Sequence, residues 1–144
     1  MRAPIREVNE RVASRCAALR HAGSLDSTDP EVGTGTAGKA AEGDFVRIQL
    51  RLEHGRIREA CFKAFGCSGT IACASLASEW AEGKSLEEAE SIRNRDLGAA
   101  LDLPAHRRRC SELAEEALHS AIRNYREKRL TGGSMVIHCL NGRK

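Results

Sequence analysis

Between Phe45 and Gly83 the spacing of apolar residues changes once, from every second position to every third or fourth. The change falls at Gly66-Cys67-Ser68. Val46, Ile48, Leu50 and Leu52 alternate with Arg47, Gln49 and Arg51, the pattern of a strand with one face in a core. Glu53-His54-Gly55-Arg56 supplies a turn in which His54 is a solvated residue, and Ile57 to Phe65 returns as the second strand of a hairpin. From Ser68 onward Ala72, Cys73, Leu76 and Trp80 share one face of a helix that stops at Gly83. A hairpin leading straight into a helix constrains the fold, because the strand pair must bury its apolar face under helices.

The flanking segments complete the layout. Ile5, Val8, Val12, Cys16 and Leu19 predict an amphipathic helix over residues 4–20, with Cys16 on its buried stripe. His21 to Gly43 is loop-like, with a short strand near Val32-Gly33-Thr34. Ser85-Leu86-Glu87-Glu88 is a capping box that opens a short helix. Arg95 to Leu103 predicts a further helical piece ended by Pro104, and Ser111 to Lys128 a long final helix. Thr131-Gly132-Gly133-Ser134 is expected to break that helix and release a tail ending in His138-Cys139. The predicted class is α+β: a small three-stranded antiparallel sheet with helices packed on one face. Three segments are expected, an N-terminal helix over 1–20, one domain over 21–130 and a C-terminal tail over 131–144.

A net charge of +3 and an aromatic content of 3% offer neither the field nor the stacking platform of a nucleic-acid binder. The basic run His106-Arg107-Arg108-Arg109 reads in the first instance as a solvated loop. No apolar stretch approaches the ~20 residues of a membrane span. The N-terminus has no continuous apolar core, and Glu7 and Glu10 are foreign to an organelle presequence, so a cytoplasmic protein is expected. The six cysteines are then reduced thiols.

Two of those thiols stand where chemistry is favoured. Cys67 sits at the strand-to-helix junction and Cys110 opens the last helix, and the positive end of a helix dipole favours a thiolate at both. Because antiparallel pairing places the start of one strand beside the end of the next, Asp44 is expected near Cys67. Two thiolates and a carboxylate suit zinc or iron, and buried or reactive free thiols remain the alternative. There is no C-x-x-C pair, and Gly33-Thr34-Gly35 with Gly38-Lys39 lacks the spacing of a phosphate loop. Cys61 and Cys73 read as structural.

From His21 to about Arg126 the chain resembles the iron–sulfur cluster scaffold proteins of the IscU type, which also form the N-terminal domain of NifU. The resemblance is carried by Ala22-Gly23-Ser24-Leu25-Asp26, Val32-Gly33-Thr34-Gly35, Gly43-Asp44, Phe62-Lys63-Ala64-Phe65-Gly66-Cys67, Leu76-Ala77-Ser78-Glu79-Trp80, Gly83-Lys84-Ser85, Leu103-Pro104 and Cys110-Ser111-Glu112-Leu113-Ala114-Glu115. The interval from Cys67 to Cys110 matches the IscU branch, whereas the related SufU branch carries an insertion there.

The resemblance implies a scaffold that is not an enzyme, holding iron or a [2Fe-2S] cluster, with Zn2+ in a resting form. The family uses three cysteines, an aspartate and a histidine. The matching positions are Glu42 for the first cysteine, Asp44, Cys67, Arg109 for the histidine, and Cys110. Glu42 keeps a ligand oxygen but cannot accept persulfide sulfur as a thiol does. Arg109 stays protonated and is no ligand, so it is expected to stand as a cation beside Cys67 and Cys110 and lower both pKa values. The implied partners are a cysteine desulfurase and an Hsp70-type chaperone, the latter through Leu103-Pro104-Ala105-His106-Arg107, a departure from the family's Leu-Pro-Pro-Val-Lys. Dimerisation around the cargo is left open. His138 and Cys139 offer a substitute imidazole and thiol if the tail folds back. The competing readings are a homologue that docks on the assembly machinery without building clusters, a mononuclear zinc or iron protein, and a thiol redox enzyme.

Overall fold

The computed structural model describes residues 9–17, 19 and 21–138, with the backbone alone beyond Leu130. Its elements are helix α1 (Glu10–Ala17), strands β1 (Val32–Lys39), β2 (Asp44–Glu53) and β3 (Arg56–Phe65), and helices α2 (Ser68–Ala81), α3 (Leu86–Glu90), α4 (Asn94–Ala100) and α5 (Arg108–His138). Short 3-10 turns at Ala40–Glu42 and Ala105–Arg107 precede β2 and α5. The strands form one antiparallel sheet in the order β1-β2-β3.

The hairpin forms as its pattern dictates. His54 and Gly55 take φ of 55° and 79°, the paired positive values of a turn whose twist matches the strands it joins. Val46, Ile48 and Leu50 lie opposite Ala64, Phe62 and Ala60. All three β2 residues are fully buried, each contributing about 1.5–3 kcal/mol by leaving water. They face α2 and α5, which bring Ala72, Cys73, Ala77, Leu113, Leu118 and Ile122 to the same core.

β1 is longer than the sequence suggests: eight residues rather than a short stretch near Val32. Its glycines hide the strand signal, since glycine packs nothing against a neighbour. Their use appears in the packing. Gly33 and Gly35 lie opposite Leu50 and Ile48. A Cβ on Gly35 would run into the backbone of α5 at Ala117, Ser120 and Ala121, and one on Gly33 into Ala121 and Tyr125. The helix therefore rests on bare strand. Asn124 Oδ1 accepts from the Thr34 amide at 3.0 Å, and Lys128 Nζ donates to the carbonyls of Ser27, Asp29 and Val32.

The alternation of β2 places Gln49 on the face away from the helices, yet Gln49 is only 2% exposed. The segment before β1 covers it. Gln49 exchanges hydrogen bonds with the backbone of Leu25 and donates to Thr34 Oγ1, so a buried amide is satisfied on both ends. Further back the same segment meets β3 through a parallel bridge between Ala22 and Phe62.

Three boundaries are corrected. The described part of the first helix is Glu10–Ala17, capped by Asn9 Oδ1 accepting from the Val12 amide, and residues 4–8, 18 and 20 of the predicted 4–20 helix fall outside the described residues. The helix before Pro104 ends at Ala100 rather than Leu103. The final helix does not break at Thr131-Gly132-Gly133-Ser134 but runs from Arg108 to His138. Two glycines cost a helix about 1 kcal/mol each and do not by themselves remove its hydrogen bonds. The capping box is present as expected: Ser85 Oγ accepts from the Glu88 amide and Glu88 Oε1 from the Ser85 amide. Among the described residues no helix is long and apolar enough to cross a membrane.

Candidate metal and cluster site

The site gathers where β3 hands over to α2. Cys67 is the residue before the first turn of α2, and Cys110 lies in the first turn of α5, so two helix starts meet. The two sulfurs stand 3.6 Å apart and are free thiols. That spacing has chemical meaning. A disulfide would need about 2.05 Å, whereas two thiolates on one tetrahedral ion, with bonds of ~2.3 Å, stand about 3.8 Å apart. Gly69 leaves the room, because a Cβ there would press on Cys110 Sγ at 3.2 Å and Cys67 Sγ at 3.6 Å.

Thr70 organises the pair. Its hydroxyl is 3.6 Å from Cys67 Sγ and 3.5 Å from Cys110 Sγ. Burial opposes a charge on Cys67, but the Thr70 hydroxyl and amide, Cys110 and the Gly69 amide outweigh it and bring its pKa below the ordinary thiol value. Cys110, 5% exposed, goes the other way: burial and the neighbouring charge of Cys67 raise its pKa against the help of Thr70 and Arg107. The expectation that both thiols are activated is therefore corrected. Cys67 is the more acidic of the two sulfurs, because two adjacent anions repel and the second thiol is held back.

This asymmetry is testable. In metal-free protein Cys67 should be alkylated by iodoacetamide first, with a rate that follows its thiolate fraction and a midpoint below that of an ordinary thiol. Thr70→Val should move that midpoint upward. Mass spectrometry of peptides labelled across a pH series reads both; an unmoved midpoint in the variant would remove Thr70 from the account.

The basic run is largely exposed, as expected, but it is not a loop. It forms the 3-10 turn and the first residues of α5, and two of its guanidinium groups turn toward the site. Arg107 Nη1 donates to Cys67 Sγ at 3.5 Å. Arg109, expected beside the thiols, instead holds Asp44 Oδ2 at 3.2 Å. The other carboxylate oxygen of Asp44, Oδ1, is buried without a hydrogen-bond partner among the described residues. Asp44 opens β2, and the Phe45–Phe65 pairing puts it near Cys67, one residue beyond Gly66. Glu42 closes the 3-10 turn before Gly43, where it is exposed, and no described hydrogen bond or ion pair ties it to the sulfurs.

The structure thus brings Cys67, Cys110, Thr70, Arg107, Arg109 and Asp44 to one end of the sheet and leaves Glu42 outside their contacts. Among the described residues no group of three or more His, Cys, Asp or Glu side chains stands ready to enclose a metal ion. Two participants were missed in the sequence. Thr70, three residues after a cysteine at a helix start, carried a readable signal; Arg107 did not. Cys61 lies on the outer face of β3 and Cys73 is fully buried on α2, where burial pushes the thiol far up. Cys139 lies outside the described residues, as does the side chain of His138.

Residues 7–131 match the family described as NifU-like N terminal domain, and the chain belongs to that family. It is similar to the iron-sulfur cluster assembly scaffold protein IscU of Azotobacter vinelandii, with 47% identity over 111 residues, covering 76% of this chain and 87% of the relative. The IscU scaffold protein of Escherichia coli K12 is 42% identical over 122 residues, covering 84% and 95%. Iron-sulfur cluster assembly protein 1 of Oryza sativa is 42% identical over 123 residues, covering 84% and 72%. Among solved structures, a candidate cluster-assembly scaffold of the SUF system from Fervidobacterium islandicum AW-1 superposes with a TM-score of 0.63 over 79% of this chain and 95% of that one. At 17% identity that likeness speaks to the fold alone.

Proposed function

We propose that this chain is an iron–sulfur cluster assembly scaffold whose cargo is held by Cys67, Cys110 and Asp44, with Glu42 as a peripheral oxygen ligand. The observation that carries this is the 3.6 Å spacing of Cys67 and Cys110, close to the separation of two sulfurs on one tetrahedral ion. Family membership and the partnerless Asp44 Oδ1 support it. The cargo is iron or a [2Fe-2S] cluster, and the same two sulfurs suit Zn2+ in a resting form.

The two arginines set which form of cargo is favoured. A bare divalent ion meets Arg107 at one sulfur and Arg109 at the carboxylate, whereas a thiolate-bound cluster arrives with negative charge that both cations offset. The barrier is small: Arg109 is 59% exposed, and a pair so open to water is worth about 0–1 kcal/mol. Arg109→Ala should therefore tighten Co2+ or Fe2+ binding by roughly two- to fivefold, measured by competition with a chromophoric chelator. Unchanged affinity would show that Arg109 does not guard the carboxylate.

A cysteine desulfurase is the sulfur donor this reading requires, since nothing in the site generates sulfide. The Leu103–Arg107 stretch, with Pro104, Ala105 and His106 exposed, is the segment offered to an Hsp70-type chaperone. The role is that of a carrier rather than a catalyst, in the cytoplasm. Anaerobic reconstitution with ferrous iron and sulfide tests the proposal: a visible chromophore dependent on Cys67 and Cys110 is expected, and its absence from the unaltered protein would overturn the reading.

A further inference from the structure

Cys16 stands outside the ligand set just described, and the sequence placed it on a buried stripe. The structure packs it against the edge of the core but leaves it only half-buried. α1 is docked along α2: Val12 is buried, and Arg15 Nη1 donates to Ser75 Oγ and to Glu79 Oε1 at 2.7 Å. At its other end Asn9 Nδ2 holds the carbonyls of Leu101 and Asp102. This docking leaves the last turn of α1 over the first turn of α2. There Cys16, half-buried rather than buried, donates its thiol to the Ser68 carbonyl at 3.4 Å. Ser68 is joined directly to Cys67, whose sulfur is 3.6 Å from Cys110. Cys16 on α1 therefore sits at the same helix start that Cys67 precedes and Cys110 of α5 approaches. Burial and the charge of Cys67 both raise the Cys16 pKa.

We propose that Cys16 is a third sulfur donor of this site, recruited when a thiophilic metal ion or cluster iron occupies Cys67 and Cys110. The proposal rests on the reading of that pair as the metal-binding centre. A thiol is a weak donor, so its bond to the Ser68 carbonyl is easily given up. A change of one χ1 rotamer carries a cysteine sulfur roughly 3 Å. On binding, the Cys16 S–H bond breaks, the sulfur forms the bond to the metal with its own electron pair, and the proton leaves to water. No oxidant or reductant takes part. Glu42, exposed and tied to neither sulfur, is the weaker claimant to the third position.

Anaerobic Co2+ titration of the reduced full chain tests this, because sulfur-to-cobalt charge-transfer absorption grows with the number of bound thiolates. Cys16→Ser is expected to lower that absorption per bound cobalt by about one third and to release one proton fewer per ion. Its affinity should fall at least about tenfold. Cys61→Ser should leave the absorption unchanged. Wild-type absorption and affinity in Cys16→Ser would overturn the proposal while leaving the Cys67–Cys110 pair standing. No charge-transfer band in the unaltered protein would overturn both. Counting sulfur neighbours at ~2.3 Å by X-ray absorption on the unaltered cobalt complex needs no variant: three supports the proposal and two rejects it.

Discussion

Gly35→Ala should cost the fold about 3 kcal/mol and lower the thermal midpoint by roughly 10 °C. On intrinsic grounds alone alanine should be better, since glycine in a strand loses more chain entropy on folding and is worse by about 0.5–1 kcal/mol. Packing reverses the sign. The added Cβ would meet the Ala117 carbonyl oxygen, the Ser120 carbonyl carbon and the Ala121 amide nitrogen, all backbone atoms of α5. A side chain can rotate out of the way, but a helix backbone has to be lifted. Lifting α5 strains the burial of Leu113, Leu118 and Ile122, the hydrogen bond that Asn124 Oδ1 accepts from the Thr34 amide and the one that Lys128 donates to the Val32 carbonyl. Thr36→Ala, at an exposed position of the same strand, should change stability by less than about 0.5 kcal/mol. Thermal unfolding followed by circular dichroism compares the two. Equal midpoints would mean that α5 is not seated on bare strand.

Cys110→Ser should leave the fold intact and reduce affinity for Zn2+ or Co2+ by more than about a hundredfold, since groups behind the ligands alone account for 10–100-fold. Serine nearly matches cysteine in shape, and Thr70 stays available to hydrogen-bond it, so a large loss of stability is not expected. What is lost is the soft second donor that completes the 3.6 Å pair. Cys61→Ser, across the sheet, should bind as the unaltered chain does. Competition titration against a chromophoric chelator reads the affinities. A loss of less than tenfold for Cys110→Ser would place the metal elsewhere.

The hairpin was legible because its apolar residues keep one period, and the capping box at Ser85 because its two hydrogen bonds are local. β1 was under-read for a physical reason: Gly33 and Gly35 serve the helix above them, and nothing in their own strand declares that. The end of α5 was misplaced because Gly132-Gly133 lowers helix propensity without compelling a stop. Gln49 looked like an outward polar residue because its cover, Leu25, comes from a segment with no periodic signal. In the site, strand pairing made Asp44 a foreseeable neighbour of Cys67. Which of Arg107 and Arg109 reaches a sulfur and which the carboxylate depends on side-chain directions at the start of α5. The place of Cys16 depends on how α1 docks, and its spacing alone argued for burial.

Iron and acid-labile sulfide content of anaerobically purified protein tests the central claim most directly. The account predicts iron and sulfide in equal amounts in the unaltered chain and in Cys61→Ser, and loss of both in Cys67→Ser and Cys110→Ser. Undiminished iron and sulfide in the Cys67→Ser and Cys110→Ser variants would contradict it.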